Sequence, residues 1–224
     1  MFNSENNVFK RTAADSAGPQ LSANIYNLII GLVLCWGFFV NWLIVTNIPI
    51  ETVSKISPLL FILGYFASAF FGIFLFNKSD NPLISFIGYN FVVVPFGFVI
   101  HIIVAQFDPN LVINAMAVTG IVTAIMMILG TVYPAFFEKL APALFIALIA
   151  VIIVEVLGMF FFRGVFRFTD WIVALIFCGY IGFDWSRANK IPKTLDNAVD
   201  SAAALYIDII NLFIRILSIM GRRR

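Results

Sequence analysis

Charge is what this chain has least of. Asp, Glu, Lys and Arg make up 12% of its 224 residues, against roughly 25% in an average soluble domain. Hydrophobic residues make up 62%, and a chain of this size cannot bury so much apolar surface in a water-soluble fold. A lipid bilayer can solvate it. The net charge of +2 is too small for electrostatic capture of a nucleic acid. Two cysteines, Cys35 and Cys178, lie far apart inside apolar runs. That spacing excludes a disulfide framework or a thiolate metal site and leaves both as small apolar filler. A single histidine, His101, excludes multi-histidine metal chemistry within one chain and reads as a satisfied polar group. No Gly-rich phosphate loop, G-x-S-x-G or H-E-x-x-H occurs, so the signatures of nucleotide, ester and zinc-protease chemistry are missing. The strand alternation of an outer-membrane barrel, about ten residues per strand, is missing too. The chain is expected to be no enzyme and to carry no cofactor.

Long apolar runs are what it has. A membrane-spanning helix needs about 20 mostly apolar residues. Seven stretches qualify: Ile25–Thr46, Pro58–Phe76, Pro82–Phe107, Leu111–Tyr133, Leu140–Phe162, Phe168–Ala188 and roughly Val199–Met220. Ser57 is a natural N-cap for the second, with Pro58 at its first helical position. The links are short: Asn47–Ser57, Asn77–Asn81, Asp108–Asn110, Pro134–Lys139, Arg163–Arg167 and Asn189–Ala198. Short links between long helices force neighbours to run antiparallel. The expected fold class is therefore an all-α membrane protein, a seven-transmembrane-helix bundle over residues 25–220 surrounded by lipid. A mobile polar tail, 1–24, precedes it, and a basic tail, 221–224, follows it. The segment Met1–Lys10 has no apolar core, so it is not read as a signal peptide.

With the amino terminus in the cytoplasm, that side carries Lys10, Arg11, Lys78, Lys139, Arg187, Lys190 and Lys193. The other side carries Lys55, Arg163, Arg167 and Arg222 to Arg224. Seven against six leans only weakly towards a cytoplasmic amino terminus; discounting the terminal arginines makes it seven against three. Sparse tails and the absence of a sorting signal suit a bacterial inner membrane. In the second span, Gly64, Ser68 and Gly72 recur every four residues and make a smooth packing face. Pro95 should kink the third span.

Ionisable groups at lipid depth cost about 2.5–3.5 kcal/mol on insertion scales and usually serve function. Asp184 and Asp208 are equidistant from the midpoint of the last hairpin. At equal helical rise they come out level, about two turns below the membrane surface. Asp200, Ala204, Asp208, Asn211 and Arg215 follow at steps of four, four, three and four, so they share one stripe of the last span. Such a stripe should face the bundle interior or a water-filled cavity. Tyr180, one turn before Asp184, could donate its hydroxyl. Two carboxylates in one site titrate as a unit. They could hold a proton, bind a cation such as calcium through hard oxygens, or exchange the two. The competing readings are a local Asp184–Arg187 pair and, for Asp208, a plain interhelical hydrogen bond. Glu155, mid-way along the fifth span, reads as a protonated carboxyl bonded to a neighbour or as part of an ion path. Arg215 reads as a snorkelling side chain.

The string ALYIDIINLFIRIL, Ala204 to Leu217, resembles the signature of the Bax inhibitor family, also called the transmembrane BAX inhibitor motif family. That signature is small-Leu-Tyr-apolar-Asp-apolar-apolar-Asn-Leu-Phe. Ala204, Leu205, Tyr206, Asp208, Asn211, Leu212 and Phe213 match it. The sixth span ends in YIGFDWSRA, with Asp184 at the family's acidic position and 24 residues between the two aspartates. The resemblance implies a seven-helix fold with a central last helix. It also implies a pH-sensitive calcium leak in which Asp184 and Asp208 sense protons on the cytosolic side, with calcium as the transported ion. It further implies links to restraint of cell death or to regulation of membrane proteases. Family members can latch the sixth-span aspartate with an arginine near the end of the second span. Here that region reads FLFNKSDNP, and Lys78 is its only basic residue, a point charge in place of a bidentate fork.

Three function classes follow. The leading one is a pH-gated cation leak. A second is a non-transporting regulator that acts through contacts with a membrane protease or another partner. The third, an intramembrane aspartyl protease, lacks its Gly-x-Gly-Asp setting, because Asp208 sits in LYIDII. A light receptor is excluded by the absence of a Schiff-base lysine in the last span.

Overall fold

The computed structural model describes residues 19–161 and 166–221. Most of the polar tail, Lys10, Arg11, Arg163 and Arg222 to Arg224 lie outside the described residues, as does the side chain of Arg167. Among the described residues the protein is all helix, without a strand: α1 Ala23–Asn47, α2 Ile50–Ser54, α3 Pro58–Lys78, α4 Pro82–Val104, α5 Pro109–Val132, α6 Pro134–Phe161, α7 Phe166–Ala188 and α8 Leu195–Gly221. Six of these, α1 and α4 to α8, are long and apolar enough to cross a membrane. The stretch Leu59–Leu75 of α3 is a shorter apolar run.

A repeated local device starts the helices. Ser57–Pro58, Asn81–Pro82 and Asp108–Pro109 each pair a polar N-cap with proline in the first turn. The cap oxygen takes an orphan N–H, at 3.2 Å from Leu60, 2.9 Å from Leu83 and 2.9 Å from Asn110. Proline there loses nothing, because its missing N–H would have had no partner. The same logic corrects the link expected over Pro134–Lys139. Only Tyr133 interrupts the helices, and the proline that stops α5 opens α6. Two more links shorten. The segment Asn47–Ser57 contains α2. The last helix begins at Leu195, four residues before Val199, because Thr194 Oγ1 caps it by accepting from the Asn197 N–H at 3.2 Å.

By its internal contacts the chain divides into two compact units. The first takes in the described part of Met1–Gln106 with Ala188–Tyr206; the second takes in that of Phe107–Arg187 with Ile207–Arg224. In the first unit α3 packs on α4. Gly72 is the closest approach: a Cβ there would collide with the Gly88 carbonyl oxygen and come within 2.9 Å of Phe91 Cβ. Gly64, expected on the same smooth face, meets nothing within 4 Å, so the face closes at only one of its glycines. Pro95 sits inside α4 and leaves the Phe91 carbonyl, four residues back, without its helical donor. Ser68 of α3 supplies a replacement, its hydroxyl donating to Phe91 O at 2.7 Å.

Helix α8 is the most enclosed of the six long apolar helices, with 56% of its span window buried, whereas α6 buries 11%. Its burial is not confined to the polar stripe. Leu205 and Tyr206 in the first unit, and Leu212 and Leu217 in the second, are all at or near zero exposure. Replacing Gly72 with valine should lower the thermal unfolding midpoint in detergent, at a cost of about 1–3 kcal/mol for an overpacked contact. An unchanged midpoint would refute the close α3–α4 approach.

Candidate functional site

The last turns of α7 and the middle of α8 carry the expected pair. Asp184 is half-buried and Asp208 is buried. Both belong to the second unit. Their carboxyl groups face one another, within reach of a side-chain hydrogen bond. Such a bond would need a proton between them, because two ionised carboxylates have none to share. Asp208 Oδ2 has no hydrogen-bond partner. Level depth followed from the hairpin spacing; the rotation that makes the groups touch is supplied by packing. A Cβ at Gly130 of α5 would collide with the Gly182 carbonyl oxygen of α7, and one at Gly182 would strike the Phe137 ring of α6. These contacts press the carboxyl end of α7 against α5 and α6. Trp185 adds a polar tie, its Nε1–H donating to Thr131 Oγ1 of α5 at 2.8 Å.

Tyr180 lies within electrostatic reach of both carboxyls. Arg187 is electrostatically coupled to Asp184 and stacks its guanidinium over the Phe183 ring at 5.4 Å. The local Asp184–Arg187 pair and the Asp184–Asp208 pair therefore coexist. Asn211 donates its Nδ2–H to the Ile207 carbonyl at 2.8 Å, a bond within its own helix. Lys78 belongs to the first unit, where its ammonium lies 4.7 Å from the Phe74 ring centroid.

Two polar expectations are corrected. Glu155 holds the Arg215 guanidinium and is no lone acid in its span, and Arg215 turns to it instead of snorkelling. Arg215 of α8 donates through Nη1 and Nη2 to Glu155 Oε1 and Oε2 of α6, at 2.8 and 3.0 Å. This is the two-point geometry of guanidinium on carboxylate. Nη1 also reaches Asp170 Oδ1 of α7 at 2.8 Å, and Ser218 donates to Asp170 Oδ2 at 2.9 Å. Asp170 is almost fully buried, and Arg215 and Glu155 are 26% and 19% exposed at the side chain. Asp170 and Ser218 escaped the sequence reading. The available signal was the stripe Asp170, Val173, Phe177, Tyr180, Asp184, spaced three and four along one face of α7. It mirrors the stripe on α8. His101 is also corrected: it is buried, and neither ring nitrogen has a hydrogen-bond partner.

The first unit has its own polar seam. Ser85 donates to Asp196 at 2.8 Å. The Tyr26 hydroxyl lies 3.0 Å from Ser201 Oγ and donates to the Asn197 carbonyl at 3.2 Å. Tyr206 of the signature accepts from Asn41 Nδ2 at 2.6 Å.

The family model described as inhibitor of apoptosis-promoting Bax1, Bax1-I, matches residues 19–224. The chain belongs to the Bax inhibitor family. It is 29% identical to an uncharacterized protein of Helicobacter pylori over 69% of this chain and 67% of the relative. To an uncharacterized membrane protein of Streptococcus pyogenes it is also 29% identical, over 56% of this chain and 58% of the relative. A BI1-like protein of Arabidopsis thaliana is 38% identical over 38% of this chain and 33% of its own length.

Calcium takes six to eight oxygens. Among the described residues no three His, Cys, Asp or Glu side chains converge as a metal site. The second cluster yields a stability test. Arg215→Gln takes the guanidinium away from Glu155 and Asp170 and should cost about 1–3 kcal/mol, tempered by partial exposure. Adding Glu155→Gln should recover part of the loss by removing the repulsion. Unfolding midpoints in detergent for both singles and the double check this, and strictly additive losses would refute the coupling.

Proposed function

We propose that this Bax inhibitor family protein is a pH-sensitive cation leak, calcium being its cargo, with the Asp184–Asp208 pair as proton sensor. What supports the reading is the juxtaposition of the two acidic side chains of α7 and α8, close enough to share a proton. With one proton the pair has charge −1 and a bond across the two helices. Without a proton the charge is −2, and like charges push the helices apart at that level. With two protons the charge is zero, and the attraction of Arg187 for Asp184 is lost. A change of one proton therefore alters both the helix contact and the local pull on a cation. Asp208 Oδ2, with no hydrogen-bond partner, offers a hard acceptor beside the shared proton.

In this reading α1 and α3 to α8 are the seven spans, with α8 as the enclosed last helix and α2 as a surface turn. The amino terminus is cytoplasmic and the membrane is a bacterial inner membrane. Basic side chains are biased that way, and relatives occur in Helicobacter pylori and Streptococcus pyogenes. The family's description as an inhibitor of an apoptosis-promoting protein favours a second reading, a regulator that acts through protein contacts.

Calcium-indicator liposomes distinguish the two. The purified chain should admit calcium at a rate that changes with pH, and Asp184→Asn and Asp208→Asn should each flatten that change. A pH response untouched by either substitution rules out the sensor role. No flux at any pH, together with capture of a membrane partner from native membranes, would favour the regulator.

A further inference from the structure

Between Ala188 and Leu195 the link from α7 to α8 has no helix of its own. It is gripped at Lys193 by the two residues that precede Ser22, the cap of α1. The Leu21 N–H donates to the Lys193 carbonyl at 2.7 Å. In return the Lys193 N–H donates to Gln20 Oε1 at 3.2 Å. The next residue, Thr194, caps α8 with its hydroxyl. Asn197 Nδ2 ties the first turn of α8 back to the Pro192 carbonyl at 2.8 Å. A hold on Lys193 is therefore a hold on the start of α8.

Two other anchors reach the same turns. Ser85 of α4 donates to Asp196, and the Tyr26 hydroxyl of α1 meets the Asn197 carbonyl and Ser201. Every side chain in these two anchors is buried. Pulling them apart strands polar groups away from water and costs the desolvation of each. The grip on Lys193 differs. Gln20 is exposed, and Leu21 and Lys193 are half-buried, so water replaces these bonds when they open. Elements that move are held by contacts of this low-cost kind.

We propose that Gln20 and Leu21 form a releasable strap that restrains the first turn of α8 and thereby limits the opening of the leak. The restraint on α8 stands on the bonds just described; its effect on permeation rests on the cation-leak reading. The helix whose start is strapped is the one that carries Asp208. A strap at the surface gives the chain a closed resting state that can be released without breaking the buried anchors of Tyr26 and Ser85.

Hydrogen–deuterium exchange of the full chain in lipid nanodiscs reads the restraint over residues 193–201. Gln20→Ala removes one bond and Leu21→Pro removes the other. Each should speed exchange in that stretch by about two- to tenfold, the range expected for one net hydrogen bond. Gln20→Glu keeps an acceptor oxygen and should exchange at the rate of the unaltered chain. Asn24→Ala, exposed on the first turn of α1, should do the same. If Leu21→Pro fails to fold, Gln20→Ala at its exposed position decides the matter. A rise below about twofold, or one spread evenly over all the helices, overturns the strap.

Calcium-indicator liposomes read the consequence. In a chain that leaks, the strap variants should admit calcium faster at every pH. Faster exchange with unaltered flux overturns the strap's control of the leak. Faster exchange in a chain that admits no calcium rejects the leak and leaves the restraint on α8 standing.

Discussion

Lipid offers no hydrogen bonds, so a polar group carried into the helices of this chain has to be met by the chain itself. Much of the architecture follows from that constraint. The proline-led helix starts lose no donor, and the caps Ser57, Asn81 and Asp108 each take one of the N–H groups that remain. Pro95 strips the Phe91 carbonyl of its donor, and Ser68 replaces it from the neighbouring helix. Close backbone approach at Gly72 is what brings that serine within reach. A break in one helix is thus repaired by the packing of two, as the bilayer setting demands.

The charges obey the same constraint more strictly, since an unpaired ion in hydrocarbon costs several times as much as an unpaired carbonyl. Arg215 meets it with two carboxylates and Ser218 with a hydroxyl. Asp208 faces another acid, Asp184, and its Oδ2 has no hydrogen-bond partner. A site that is fully satisfied is a staple. Two acids that face one another would be satisfied only while they hold a proton, and that difference is why the sensing role is proposed for the pair and not for the larger cluster.

Element identity was readable because span length and proline position are one-dimensional signals. Pro58 and Pro82 announced two helix starts, Pro109 was read as part of a link although it opens α5, and the hairpin midpoint put Asp184 and Asp208 level before any contact was known. Rotation and helix contact are not one-dimensional. Nothing in the local string around Gly130 or Gly182 says that each meets the other's backbone or a phenyl ring. Glu155 looked isolated in VIIVEVLGMFF because its partner is sixty residues away on another helix. Pro134 misled for the opposite reason: a local stop signal was read as the start of a loop, when one proline can end a helix and open the next.

The two stripes of α7 and α8 extend the hairpin arithmetic beyond the pair that prompted it. Antiparallel helices of equal rise map each residue of one onto a fixed level of the other. The register that pairs Asp184 with Asp208 carries Asp170 towards the end of α8, where Arg215 and Ser218 reach it. A single rotational setting of α7 against α8 therefore brings both polar groups inward together. Rotating either helix enough to separate the aspartates would also pull Asp170 from Arg215. The cost of leaving that guanidinium short of a partner opposes the motion. On the proposed reading the ion cluster would resist the rearrangement that deprotonation of the pair favours, and the balance between the two would set how far the helices can part.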